Sequence, residues 1–95
     1  MSKFQIIWTT TAKNQLKSIL SYYKDKSTQA AESVKKDIFE KVKSIHFPEQ
    51  YQADDIEPEF RKIIVRDYKI LYLEQNNFIY IARIFSTKMN PLRQL

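Results

Sequence analysis

The sequence predicts an α+β domain of order β-α-α-β-β-β, with a helical hairpin packed on one face of a mainly antiparallel sheet. Three observations carry this expectation. Two stretches between residues 10 and 45 repeat apolar residues at helical spacing. Three runs after residue 60 are rich in β-branched and aromatic residues and are separated by short polar turns. A short apolar run, KFQIIW, precedes them all. At 95 residues the chain is long enough for one modest core, and it is read as a single domain over 1–95.

The elements follow in order. Residues 3–8 read as the first strand, and Thr9-Thr10-Thr11 then offers hydroxyls to cap a helix. Ala12, Leu16, Ile19, Leu20 and Tyr23 form its apolar stripe, with Lys13, Asn14 and Lys17 outside it. The DKST segment interrupts the helix, and Ser27 or Thr28 can cap the next. Its stripe is Ala31, Val34, Ile38, Val42 and Ile45. Both stripes are core surfaces, and a short link between amphipathic helices makes an antiparallel pair. His46 and Pro48 end the second helix. Residues 47–59, FPEQYQADDIEPE, read as a polar loop whose acids Asp54, Asp55, Glu57 and Glu59 are solvated charge.

The strands FRKIIVR, YKILYLE and FIYIARIFS are joined at Arg66-Asp67 and at Asn76-Asn77, the second a pair that tolerates positive φ in a chain with no glycine. Two-residue turns set Ile63 opposite Ile70, Arg61 opposite Tyr72, Leu73 opposite Tyr80 and Leu71 opposite Ala82. One face then holds Ile63, Val65, Ile70, Tyr72, Ile79, Ile81 and Phe85 and makes the core. The other holds Lys62, Ile64, Lys69, Leu71, Leu73, Tyr80 and Ala82. This register leaves Arg83 on the core side, which requires a sheet end, an acidic partner or a slip of one residue. The tail TKMNPLRQL leaves the sheet as a short basic segment.

Composition removes several functional classes. The absence of glycine argues against P-loops and dinucleotide turns, which need residues without Cβ close to phosphate. With no cysteine and one histidine, neither a transition-metal site nor a thiol nucleophile has its ligands or base, and no cofactor is expected. His46 fits a helix C-terminus facing the dipole. No stretch has the length of a membrane span or a secretory signal, so a cytoplasmic protein without membrane contact is expected. Sixteen Lys and Arg against eleven Asp and Glu give a net charge of +5, which suits a nucleic acid or an acidic protein partner. The chemistry-bearing set is Arg61, Lys62, Arg66, Lys69, Arg83 and Lys88, interleaved with Tyr68, Tyr72 and Tyr80. Cations hold phosphates and aromatics stack bases, and such a set could cleave RNA without histidine.

Four motifs occur in order: W-x3-A-x3-L at 8–16, S-x2-A-A at 27–31, R-x6-Y-[KR]-I-x-Y at 61–72, and IYIARIF followed by TKMNP. Together they resemble the RelE/ParE superfamily of type II toxin–antitoxin (plasmid stabilisation) toxins, over roughly residues 4–91. The resemblance implies the RelE/ParE-like fold, a growth inhibitor, and a cognate antitoxin in a toxin–antitoxin hetero-oligomer. RelE-like members cut mRNA on the ribosome with basic residues on the open sheet face. ParE-like members poison DNA gyrase. If the chain is a metal-independent endoribonuclease, the catalytic candidates are Lys69, Arg61, Arg83 and Lys88, with Lys62, Arg66, Tyr68 and Tyr80 as binding residues. Lys69 stands where the ribonucleases usually carry an arginine, so the planar fork that grips phosphate is lost. No Tyr or His follows Tyr80. Both departures favour gyrase inhibition over mRNA cleavage. A non-toxic basic nucleic-acid-binding module is the reading from another class.

Overall fold

The computed structural model describes residues 4–88. Its elements are β1 (Gln5–Trp8), α1 (Thr10–Lys24), α2 (Thr28–Lys43), a 3-10 turn (Pro48–Gln50), β2 (Arg61–Val65), β3 (Tyr68–Gln75) and β4 (Phe78–Ser86). The expected β-α-α-β-β-β order is present. Of the tail TKMNPLRQL, only Thr87 and Lys88 fall among the described residues.

Both helices start at hydroxyl caps. Thr9 accepts from the Ala12 N–H and Ser27 from the Ala30 N–H, each satisfying a donor that the first helical turn leaves unpaired. The second helix stops at Ser44, short of His46. The four strands run in the order β1-β4-β3-β2, with β1 parallel to β4 and the other two pairings antiparallel. The sheet is therefore mixed. Ala12 and Leu16 of α1, and Val34, Ile38 and Val42 of α2, close on Ile63, Ile70, Tyr72, Ile79, Ile81 and Ile84 as one buried cluster.

The two-residue turns are as expected. Val65 pairs with Tyr68 across Arg66-Asp67, and Gln75 pairs with Phe78 across Asn76-Asn77. Arg66, Asn76 and Asn77 take positive φ of 54°, 54° and 68° in place of glycine. Asparagine does this at small cost, whereas an arginine there carries roughly 1 kcal/mol of strain.

The register departs from expectation at one point. Tyr72 pairs with Ile81 but Leu71 pairs with Arg83, so Ala82 is an extra residue in β4. Beyond this bulge every side chain changes face. Arg83 and Phe85, expected on the core side, lie on the opposite face, and Ile84 fills the core in their place, 1% exposed. The Thr9 hydroxyl donates to the carbonyls of Ile81 (2.9 Å) and Ala82 (3.1 Å). Past the end of the short β1, the Ile84 N–H donates to Gln15 Oε1 at 2.8 Å. Side chains of α1 and its cap thus serve backbone groups of β4 that the four residues of β1 cannot reach.

Candidate functional site

The face of the sheet away from the helices holds Lys62, Ile64, Lys69, Leu71, Leu73, Tyr80, Arg83 and Phe85. Cross-strand pairing places Lys62, Leu71 and Arg83 in one row and Ile64, Lys69 and Phe85 in the next. The loop before β2 folds onto these rows, which corrects the reading of Asp54 and Glu57 as solvated, while Asp55 and Glu59 stay exposed. Gln52 O accepts from the Lys62 N–H, Ala53 bridges Arg61, and the Asp54 N–H donates to Phe60 O, so the segment doubles back along the outer edge of β2. Asp54 is consequently buried. Its Oδ2 accepts from the N–H groups of Ile56 (3.1 Å) and Glu57 (2.8 Å), and its Oδ1 accepts from Lys69 Nζ at 2.8 Å. Asp55 accepts from Lys62 at 3.3 Å, and Glu57 binds Arg83. Arg83 lies 5.9 Å from the ring centres of both Phe60 and Phe85. Leu71, expected on a mixed open face, is fully buried under this cover.

The remaining candidates are elsewhere. Arg61 pairs with Tyr72, on the helix side of the sheet, and its Nη1 donates to Tyr51 O at 2.7 Å. Arg66 reaches α2, donating to Asp37 (2.8 Å) and Ser33 (2.9 Å). Lys88 lies 3.6 Å from Asp67, both exposed. Tyr68 is buried on the core side, and its hydroxyl donates to that of Tyr23 at 3.4 Å. Tyr80 is half-buried on the far face beside Phe78. The structure brings Lys62, Lys69 and Arg83 together and separates them from Arg61, Arg66, Tyr68 and Lys88. A cleft of about 430 Å³ opens at the strand-turn end, lined among others by Tyr22, Tyr23, Asp67, Tyr68 and Lys88.

A profile of the family described as "ParE toxin of type II toxin-antitoxin system, parDE" matches residues 6–91. The chain belongs to the ParE toxin family. Among solved structures, a chain of a chromosomal ParDE toxin–antitoxin system from P. aeruginosa is similar with a TM-score of 0.75 and 20% identity, over 87% of this chain and 95% of that one. That likeness shows the shared fold. None of the curated proteins matches the chain.

For a ParE-family chain, the electrostatics of the far face are unlike those of a phosphate cradle. Three cations meet three carboxylates there, and the local charge cancels. The basic excess lies on the helical hairpin instead, where residues 10–44 carry eight lysines against four carboxylates, +4 of the chain's +5. Two phenols on the core side of the sheet are held protonated. Burial, then the bond to Tyr23, raises the Tyr68 pKa well above the ordinary phenol value. Burial pushes Tyr72 up to about 12, against the lowering effects of the Tyr51 backbone and Arg61, while its hydroxyl donates to Pro48 O at 2.8 Å. A phenol held this way donates hydrogen bonds and is a poor general base. Among the described residues no helix is long and apolar enough to cross a membrane. Asp54, Asp55 and Glu57 are the site residues that sequence reasoning missed. Acids in a loop give no signal of the sheet face on which they will land.

Proposed function

We propose that this ParE-family toxin acts in the cytoplasm by inhibiting DNA gyrase, and that a cognate antitoxin holds it silent in a hetero-oligomer. One observation carries the preference for gyrase over mRNA cleavage. Each basic side chain of the far face, Lys62, Lys69 and Arg83, is engaged by a carboxylate of the loop before β2. A cation so neutralised offers little to the negative charge that builds on a scissile phosphate, and Lys69 lacks the bidentate fork as well.

The test is induced expression with and without the adjacent open reading frame, followed by readouts of DNA damage and mRNA integrity. The expected outcome is growth arrest with an SOS response and intact mRNA, relieved by the neighbouring gene's product. Arrest with A-site mRNA cuts would overturn gyrase as the target in favour of ribosome-dependent RNA cleavage. Growth at the normal rate would overturn both.

A further inference from the structure

The cleft at the strand-turn end combines side chains that the proposed gyrase inhibition does not use. Its α1 wall is Ile19, Tyr22 and Tyr23, which i, i+3, i+4 spacing puts on one side of the helix. Tyr22 is 58% exposed, yet two neighbours fix its ring. The Tyr23 ring meets it at 86° with centres 5.3 Å apart, and Lys26 Nζ lies 4.7 Å from its centre. Deeper in, the Tyr68 hydroxyl donates to that of Tyr23, so the Tyr23 hydroxyl keeps its own hydrogen for a further acceptor. At the mouth, Asp67 and Lys88 stand as one carboxylate and one ammonium 3.6 Å apart. The Asp67 carbonyl accepts from the Thr87 N–H (2.7 Å) and hydroxyl (3.1 Å), which fastens the turn beside the end of β4 and keeps the two charges together. Both charged side chains are exposed, so the pair holds its members weakly and each can turn to a ligand.

We infer that this cleft binds a small aromatic zwitterion, of which a free aromatic amino acid is the simplest. Its ring packs against Ile19, Tyr22 and Tyr23, its ammonium faces Asp67 and its carboxylate faces Lys88. The volume, about 430 Å³, lies within the range of small-molecule sites, about 300–1,000 Å³. An amino acid carries both charges on one carbon, which suits two opposite charges 3.6 Å apart. A peptide terminus carries only one of them. A nucleotide fits less well, because Lys88 is the one cation among the described lining residues and Asp67 repels a phosphate beside it. The inference does not depend on whether gyrase is the toxin's target.

The test titrates the purified full chain, isotope-labelled, with L-phenylalanine up to about 10 mM and follows amide shifts. Three further probes separate the ligand's parts. N-acetyl-L-phenylalaninamide has the ring without the charges, glycine has the charges without the ring, and adenosine monophosphate is the nucleotide. The expected result is saturable binding of phenylalanine, with shifts centred on Ile19, Tyr22, Tyr23, Asp67 and Tyr68. The other three probes should bind at least about tenfold more weakly. Lys88→Gln should weaken phenylalanine binding about tenfold, as loss of one charge-assisted contact requires, and leave binding of the uncharged amide unchanged. Lys88→Arg, which keeps the charge, should restore most of the loss. Equal binding of the uncharged amide or of glycine would show that ring and charges do not act together and would overturn the inference. Equal or tighter binding of the nucleotide, indifference to Lys88→Gln, shifts elsewhere on the chain, or no saturation by phenylalanine would overturn it too.

Discussion

Lys69 is one of the residues on which the toxin's chemistry was expected to rest, yet its ammonium is 2.8 Å from a carboxylate that solvent does not reach. Burying Asp54 costs several kcal/mol of hydration, offset by two backbone N–H donors and the lysine. Removing the lysine takes a charged partner from a carboxylate that stays buried. Lys69→Ala should therefore lower the free energy of unfolding by about 3 kcal/mol, the lower end for breaking a buried pair because Lys69 itself keeps some contact with water. Urea unfolding measures this, and an unchanged midpoint would mean that the loop does not cover the far face. A loss of toxicity in the same variant would then report stability as well as function. Tyr72 gives a pH dependence. Its folded pKa of about 12 lies above the ordinary 10.0, so the folded chain keeps a proton that the unfolded chain releases. That contribution is complete below about pH 10 and is lost as pH rises through about 12. Between about pH 9 and 11.5 the stability of Tyr72→Phe should fall less steeply than that of the unaltered chain, in denaturant titrations at each pH.

Among the elements, β1 and the bulge in β4 decide which side chains share a face. β1 has four residues and pairs with β4 only as far as Ile81. Beyond it Thr9 serves two structures at once, capping α1 and donating to the bulge carbonyls. A capping hydroxyl is worth about 1 kcal/mol, up to about 2 in a favourable case. Thr9→Ala should cost at least the upper figure, since it also strips a donor from the bulge, and Thr9→Ser should recover most of the loss. Thermal and denaturant midpoints of the two variants decide this, and equal losses would refute the double role. The consequence for the site is direct. Without the extra residue, Arg83 would point into the core, whose described residues include no acid, and could not meet Glu57.

For the whole molecule, the separation of charge is the dominant feature. The far face is locally neutral, and the helical hairpin carries most of the net charge. A surface field of this kind governs association rate and partner choice more than it governs fold. Lys13→Gln/Lys17→Gln should elute from a cation exchanger at clearly lower salt than the unaltered chain. Both variants lower the net charge by two, so the control Lys62→Gln/Lys88→Gln, whose lysines already face Asp55 and Asp67, should shift less. Equal shifts in the two double variants would show that net charge alone sets retention.

The sequence by itself determined the helices, their caps and core stripes, the two turns and the order of the elements along the chain. Each depends on residues a few positions apart, where side-chain periodicity, a hydroxyl or a tolerated positive φ acts locally. Even the pairing of β2 with β3 followed from one turn. The bulge did not, because it is held by Thr9 across more than seventy positions of chain. Nor did the fate of Asp54, which acts on Lys69 fifteen residues away through a loop whose path no periodicity encodes. Tertiary structure alone decided that the far-face cations are neutralised and that the free charge lies on the hairpin. Ion pairing depends on distance in space, and long-range packing sets that distance.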